Sequence, residues 1–290
     1  MGEWKTAYLQ SMKNPEAEDR LDLAFYRPLG FLCAKSAQVL GLSPSQLTVA
    51  GMIAGFGAGF CFAQGGSIPL LWGSFLFLFS GVLDSADGQL ARLTGQSSDW
   101  GMVLDGLCDN LVFASVYVGC ISGLADQSWR IWLVAIAAGL CHSMQSSTLD
   151  YYLRDYLFFT AKNLSEGNRN PDLQEARAQA QRTTGIERWV WRLRLSWIWQ
   201  QNILSAGGRS FRQKLESMRG TFGFVDLYRK HQLGQLRRWQ LLGANSHTAG
   251  IILFAWLGRF DLYLLLVDLL LLNLLGGLFF LRQRRCAGRL

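Results

Sequence analysis

Apolar residues run almost unbroken through six stretches, near residues 46–63, 68–90, 101–122, 131–153, 242–258 and 262–281. As helices, each is about long enough to cross a hydrocarbon layer of roughly 30 Å. The pattern predicts an all-α, polytopic membrane protein with six transmembrane helices. The fifth stretch is the weakest, because Asn245 and His247 dilute its start and Arg259 closes it. Ahead of the first span, Leu21 to Leu40 mixes aromatics and leucines with Arg27 and Lys35, which reads as an interfacial amphipathic helix interrupted or started by Pro28. Ser43 suits an N-cap and Pro44 a first helical turn.

The stretch between the fourth and fifth spans reads differently. Asn163 to Gly185 is polar and predicts a loop with one short helix around Leu173–Arg182. The segment ERWVWRLRLSWIWQQNIL then alternates Arg with Trp and Leu, as a second interfacial helix would, its tryptophans at head-group level. A helix packed against other protein is the alternative. Residues 205–240 show no strong period and predict a loop or a connecting segment. Four parts follow: an N-terminal segment 1–45, a helical core 46–158, a basic insert 159–241, and a last helix pair with a basic tail, 242–290.

Lysine and arginine gather before the first span, in the insert (among them Arg154, Lys162, Arg188, Arg192, Arg194, Arg209 and Arg212) and after the last span. Ala63–Ser67 and Gly123–Ser128 are nearly free of charge. The positive-inside tendency therefore places both termini and the insert in the cytoplasm. Half the chain is hydrophobic, mean hydropathy is +0.14, and glycine supplies 31 of 290 residues, which suits close helix packing in lipid. The formal net charge of +7 argues for anionic head groups and against nucleic acid, since bases beside spans meet lipid first. The charged first forty residues do not look like a cleaved leader, so the N-terminus is expected to stay attached. Six cysteines show no CxxC pairing, and most fall in apolar runs, so no chemistry is assigned to them.

Against this apolar background stand four carboxylates in DSADGQLARLTGQSSDWGMVLDGLCD: Asp84, Asp87, Asp105 and Asp109. A carboxylate in a low-dielectric setting needs a cation, an arginine or water. Spacings of three and four residues put each pair on one helical face, and a hairpin around Leu93–Asp99 lets the two faces meet. All-oxygen ligation suits a hard ion such as Mg²⁺, Mn²⁺ or Ca²⁺, and no Cys or His spacing favours zinc. Solvent-exposed carboxylates at helix ends are the plain alternative.

The same run resembles the signature of the CDP-alcohol phosphotransferase family of integral membrane enzymes, D-x2-D-G-x2-A-R-x8-G-x3-D-x3-D. All eight positions are met, by Asp84, Asp87, Gly88, Ala91, Arg92, Gly101, Asp105 and Asp109. LSPSQLT extends the likeness, although Ser45 stands where an asparagine is common, and the long basic insert departs from the smallest bacterial members. The resemblance implies two Mg²⁺ or Mn²⁺ ions at the aspartates, with Asp109 also the general base. It implies Asp105 and Arg92 as catalytic, and Thr48, Asp84, Gly88, Ala91, Arg92 and Gly101 as nucleotide-side positions. Gly88 and Ala91 would give the nucleotide room, Arg92 would pair with phosphate or orient the aspartates, and Gly101 would bring the second and third helices together.

The implied reaction moves a substituted phosphoryl group from a CDP-alcohol, first of all CDP-diacylglycerol, to the hydroxyl of a small polar acceptor, releasing CMP. It belongs to phospholipid synthesis in a bacterial inner membrane, with the site open to the cytoplasm and a homodimer as an option. CDP-choline or CDP-ethanolamine with diacylglycerol is the reverse arrangement. His142, Gln145, Ser146, Asp150, Arg154 and Asp155 are acceptor-side candidates, with ordinary interhelical contacts as their alternative reading. A divalent-cation transporter would need ligands on both sides of the membrane, and the outer turns offer almost none. A purely structural membrane protein has no use for four carboxylates there.

Overall fold

The computed structural model describes residues 2–12, 14–96, 99–125, 128–161, 170, 173–204 and 208–287. The side chains of residues 99, 100, 186, 204, 208–210 and 287 are outside that description, and so are the expectations that fall on Lys162 and on the side chain of Arg209. Among the described residues every regular element is helical.

Two compact units divide the chain: residues 1–139 with 247–267, and residues 140–246 with 268–290. In the first unit, α1 (Gly2–Ser11) and a π-helical turn (Asp22–Tyr26) lead into α2 (Arg27–Val39), with Pro28 in its first turn. Gly30, Phe31, Ala34 and Ala37 recur every three to four residues on α2 and are buried; Ala34 and Ala37 pack with Leu83, Ala86 and Leu90 of α4 (Ser67–Thr94). α3 (Pro44–Gln64) packs against α4. Its N-terminus is a full capping box, in which the Ser43 side chain accepts from the Gln46 backbone N–H and the Gln46 side chain accepts from the Ser43 backbone N–H.

Glycine decides how α3 meets α5 (Asp99–Ser122). A Cβ on Gly119 would sit 2.0 Å from the Gly59 carbonyl oxygen, and one on Gly59 would sit 2.6 Å from the Ser115 carbonyl oxygen. Backbone touches backbone along this seam, as small residues permit in lipid. At the other end of the core α4 stops on Gly95, whose φ of 68° is the left-handed conformation that glycine adopts without steric cost.

Among the described residues, four helices are long and apolar enough to cross a membrane: Pro44–Gln64, Ser67–Thr94, Gly101–Ser122 and Phe260–Cys286. This corrects the expectation of six spans. α11 (Ala244–Trp256) has 13 residues and reaches only about 20 Å at 1.5 Å per residue. α6 (Trp129–Thr160) is long, but the polar run from His142 to Thr148, followed by Asp150, Arg154 and Asp155, lowers its apolarity. The last spanning helix is a composite of α12 (Phe260–Leu262), a π-helical stretch (Tyr263–Leu272) and α13 (Asn273–Ala287). Within the first unit its start is held by Tyr263, whose hydroxyl lies 3.3 Å from that of Tyr117 and 2.7 Å from His247 Nδ1.

In the second unit the insert is helical. α7 (Leu173–Arg182) coincides with the short helix expected there. α8 (Gly185–Leu204) buries Ile198 and Gln201 on one face and exposes Trp189, Leu193, Trp199 and Ile203 on the other. Residues 205–240 correct the expectation of a loop: α9 (Gly208–Met218) and α10 (Phe224–Trp239) form there. Their helicity comes from packing with distant aromatics rather than from local period. Tyr152 stacks on Trp239 at 4.7 Å, Trp239 meets Phe279 edge-on at 5.7 Å, and Phe159 lies 5.0 Å from Tyr228.

Candidate functional site

Along α3, Gly51 and Gly57 meet Ser80 and Leu76 of α4 while Gly55 and Gly59 meet Val112 and Ser115 of α5, so α4 runs antiparallel to α3 and α5 parallel to it, and the last turns of α4 and the first turns of α5 lie at the same end of the core. One ligand oxygen each from Asp84, Asp105 and Asp109 falls within 4.8 Å of the others. At that spacing, ionised carboxylates repel by about 3 kcal/mol per pair at an effective dielectric of about 20. Asp105 Oδ1 is also buried, with no hydrogen-bond partner among the described residues. An orphaned carboxylate oxygen inside a carboxylate triad is what a hard divalent cation would satisfy, so the donor set fits Mg²⁺ or Mn²⁺.

Asp87 stands slightly apart. It is buried, and its Oδ2 accepts a 2.5 Å hydrogen bond from Thr48 Oγ1 on α3. Thr48 thus orients a carboxylate of the motif in this structure. Gly88 lies beside Arg92, where a Cβ would come 3.4 Å from Arg92 Nη1. Arg92 Nε donates to the Ser11 carbonyl, while its Nη2 is buried without a hydrogen-bond partner among the described residues. Ala91 is on the same last turn of α4, and Gly101 is in the first turn of α5, one turn before Asp105.

The acceptor-side candidates all lie in the second unit, and most are tied to its own helices. Asp150 pairs with Arg154 at 2.9 Å and accepts from Trp197 Nε1 at 3.3 Å and Gln201 Nε2 at 2.9 Å. Gln145 Nε2 reaches Asp268 Oδ1 at 3.4 Å and Asn273 Oδ1 at 3.2 Å. His142 is buried. Asp155 meets Arg212 at 3.1 Å and accepts from Asn170 Nδ2 at 2.8 Å.

Burial pushes the Asp155 carboxyl up to about 6, and it outweighs the opposing pull of Arg212. A carboxyl raised on folding stabilises most below its unfolded pKa, and the contribution is lost as pH rises through the folded value. Stability measured in detergent should therefore fall by up to about 3 kcal/mol between pH 4 and pH 7 from this group. Asp155→Asn should flatten that part of the curve, and an unchanged slope in the variant would refute the assignment.

Sequence reasoning passed over two features. Asp268 is fully buried in the last spanning helix, and a lone carboxylate in YLLLVDLLLLN was a visible signal. Ser11 and Gln89, both fully buried and packed against Arg92 and Arg27, gave no local signal, because their partners are far away in sequence.

The sequence profile of the CDP-alcohol phosphatidyltransferase family matches residues 42–157. A phosphatidylinositol phosphate synthase from Mycolicibacterium smegmatis is 37% identical over 97 residues, 33% of this chain and 42% of the relative. An archaetidylinositol phosphate synthase from Pyrococcus horikoshii is 34% identical over 89 residues, 31% of this chain and 46% of the relative. A putative cardiolipin synthase from Mycobacterium bovis is 49% identical over 45 residues, 16% of this chain and 22% of the relative. The chain thus spans less than half the length of the curated relatives it matches, and no solved structure matches it. Over residues 42–157, which carry the complete aspartate motif on α4 and α5, the chain is similar to the CDP-alcohol phosphatidyltransferase family of membrane enzymes.

Proposed function

We propose that the protein transfers a substituted phosphoryl group from a CDP-alcohol, with CDP-diacylglycerol as the favoured donor, to the hydroxyl of a small polar acceptor. The observation that carries this reading is the convergence of Asp84, Asp105 and Asp109 from two helices. Divalent metal held by these residues, with Asp87 alongside, would neutralise the diphosphate and the charge that develops during transfer. Asp109 takes the proton of the acceptor hydroxyl. The acceptor oxygen forms its bond to the transferred phosphorus as the bond from that phosphorus to the oxygen of CMP breaks, and CMP leaves with its electron pair. Arg92, with two guanidinium nitrogens not used by Ser11, offers donors to the donor phosphates. Thr48 steadies Asp87 on the nucleotide side.

The names of two of these relatives contain inositol phosphate, which makes a phosphorylated polyol the first acceptor to test. The basic segments, the insert included, would face the cytoplasm and the anionic head groups there. The exposed tryptophan face of α8 suits the same layer: Arg192 lies over the Trp189 ring at 5.6 Å and Arg194 over Trp191 at 4.8 Å.

The test is CMP release by purified protein in lipid with Mg²⁺ or Mn²⁺. CDP-diacylglycerol with a panel of polar acceptors is compared with CDP-choline or CDP-ethanolamine plus diacylglycerol. Release with the first set supports the proposal, release with the second alone reverses donor and acceptor, and silence with both refutes it. Asp84→Ala should weaken Mn²⁺-dependent CDP binding at least tenfold; unchanged metal dependence in a titration would remove Asp84 from the ion site.

A further inference from the structure

The motif on α4 has a second face. Asp84, Gly88 and Ala91 lie along one stripe, and Ser85, Gln89 and Arg92 lie along the neighbouring stripe, rotated by about 100°. That second stripe is covered by the N-terminal segment, which precedes the family match at residue 42. Ser11 and Gln89 are both fully buried, and Gln89 Nε2 donates to Ser11 Oγ at 3.1 Å and to the Arg27 carbonyl at 3.2 Å. Arg27 Nη1 donates to Ser85 Oγ at 3.3 Å, and its other donors are held by Glu18 at 2.9 and 3.1 Å. Trp4 and Tyr8 of α1 meet Phe31 of α2 edge-on, at 5.7 and 5.2 Å, which seats α1 independently of these polar contacts. The layers fit closely: a Cβ on Gly30 would lie 2.7 Å from Gln89 Oε1 and 2.8 Å from Ser85 Oγ.

Arg92 is where this cover meets the motif. Its Nε is bound to the Ser11 carbonyl, its Nη1 borders Gly88, and its Nη2 is buried and unpartnered among the described residues. A guanidinium fixed through Nε keeps two donors in a rigid plane, the arrangement that grips phosphate oxygens in pairs. A buried donor left without a partner is costly, so a ligand that supplies oxygens there gains more than it would from an exposed arginine.

We propose that the N-terminal segment is a positioning strap. The Ser11 carbonyl, on a residue seated by the Gln89 amide, holds the Arg92 guanidinium so that its free edge meets the diphosphate of a CDP-linked substrate. The strap rests on the function proposed above and adds residues outside the matched family region to it. Ser11 and Gln89 touch no substrate and act through Arg92.

Equilibrium binding of CDP in the presence of Mn²⁺, with the protein in lipid nanodiscs, tests the strap through a double-mutant cycle. Deletion of residues 2–12 and, separately, Gln89→Leu should each weaken CDP binding about tenfold in the wild-type background. In an Arg92→Ala background neither change should weaken it further. The strap is overturned if either loss recurs in full without Arg92, or if both variants bind CDP as tightly as the wild-type protein. Should the deletion fail to fold, Gln89→Leu decides alone. A wild-type protein that binds no CDP with Mn²⁺ overturns the proposed function and the strap with it, whereas wild-type binding with additive losses overturns the strap alone.

Discussion

Asp109→Asn is expected to lower CMP release by about 10²- to 10⁴-fold, the usual contribution of a positioned general base, while CDP still binds. The amide keeps the shape of the side chain and one oxygen donor but cannot accept a proton at neutral pH. Asp84 and Asp105 would continue to present ligand atoms from two helices, so Mn²⁺-dependent CDP affinity should change by less than about tenfold. The diagnostic result is a large fall in kcat with retained binding, measured on protein that elutes as a single species in detergent. Normal turnover would remove Asp109 from proton transfer. Loss of binding together with turnover would make it chiefly a metal ligand.

Gly119→Ala should cost the fold at least about 3 kcal/mol, the upper range for overpacking. Alanine is normally the better helix former by about 1 kcal/mol, so propensity alone predicts a gain. Geometry reverses the sign, because the new Cβ would lie 2.0 Å from the Gly59 carbonyl oxygen and the obstacle is backbone, which has no rotamer to escape into. Gly277→Ala is the matched control, since nothing lies within 4 Å of its added Cβ. Thermal unfolding in detergent should show a large drop for the first and little change or a gain for the second. Equal behaviour would mean that the α3–α5 approach is looser than described.

How much of this was legible in the chain depended on the range of the interactions. The Ser43 N-cap and the α7 helix follow from short spacings, so local reading found them. Hydropathy also located helices at all six apolar stretches. It overcounted spans because α11 is too short and α6 too polar beyond His142, which a sum of apolar residues blurs. α9 and α10 were missed because their helicity depends on Tyr152, Phe159 and Phe279, dozens of residues away. In the site, three of the four motif carboxylates, Asp84, Asp105 and Asp109, come together. Residue type said nothing of Asp87 being held by Thr48, or of Arg92 being anchored on Ser11, because both are long-range contacts.

The glycine seam between α3 and α5 also acts as a fulcrum. Asp105 stands 14 residues before Gly119 on the same helix, a lever of about 21 Å at 1.5 Å per residue. A tilt of about 3° at the seam would carry the carboxylate by about 1 Å, enough to cost about a hundredfold in rate where reacting groups must meet in register. Milder changes along the seam that leave the protein folded should therefore slow turnover from the far end of the helix, without touching a single residue of the site.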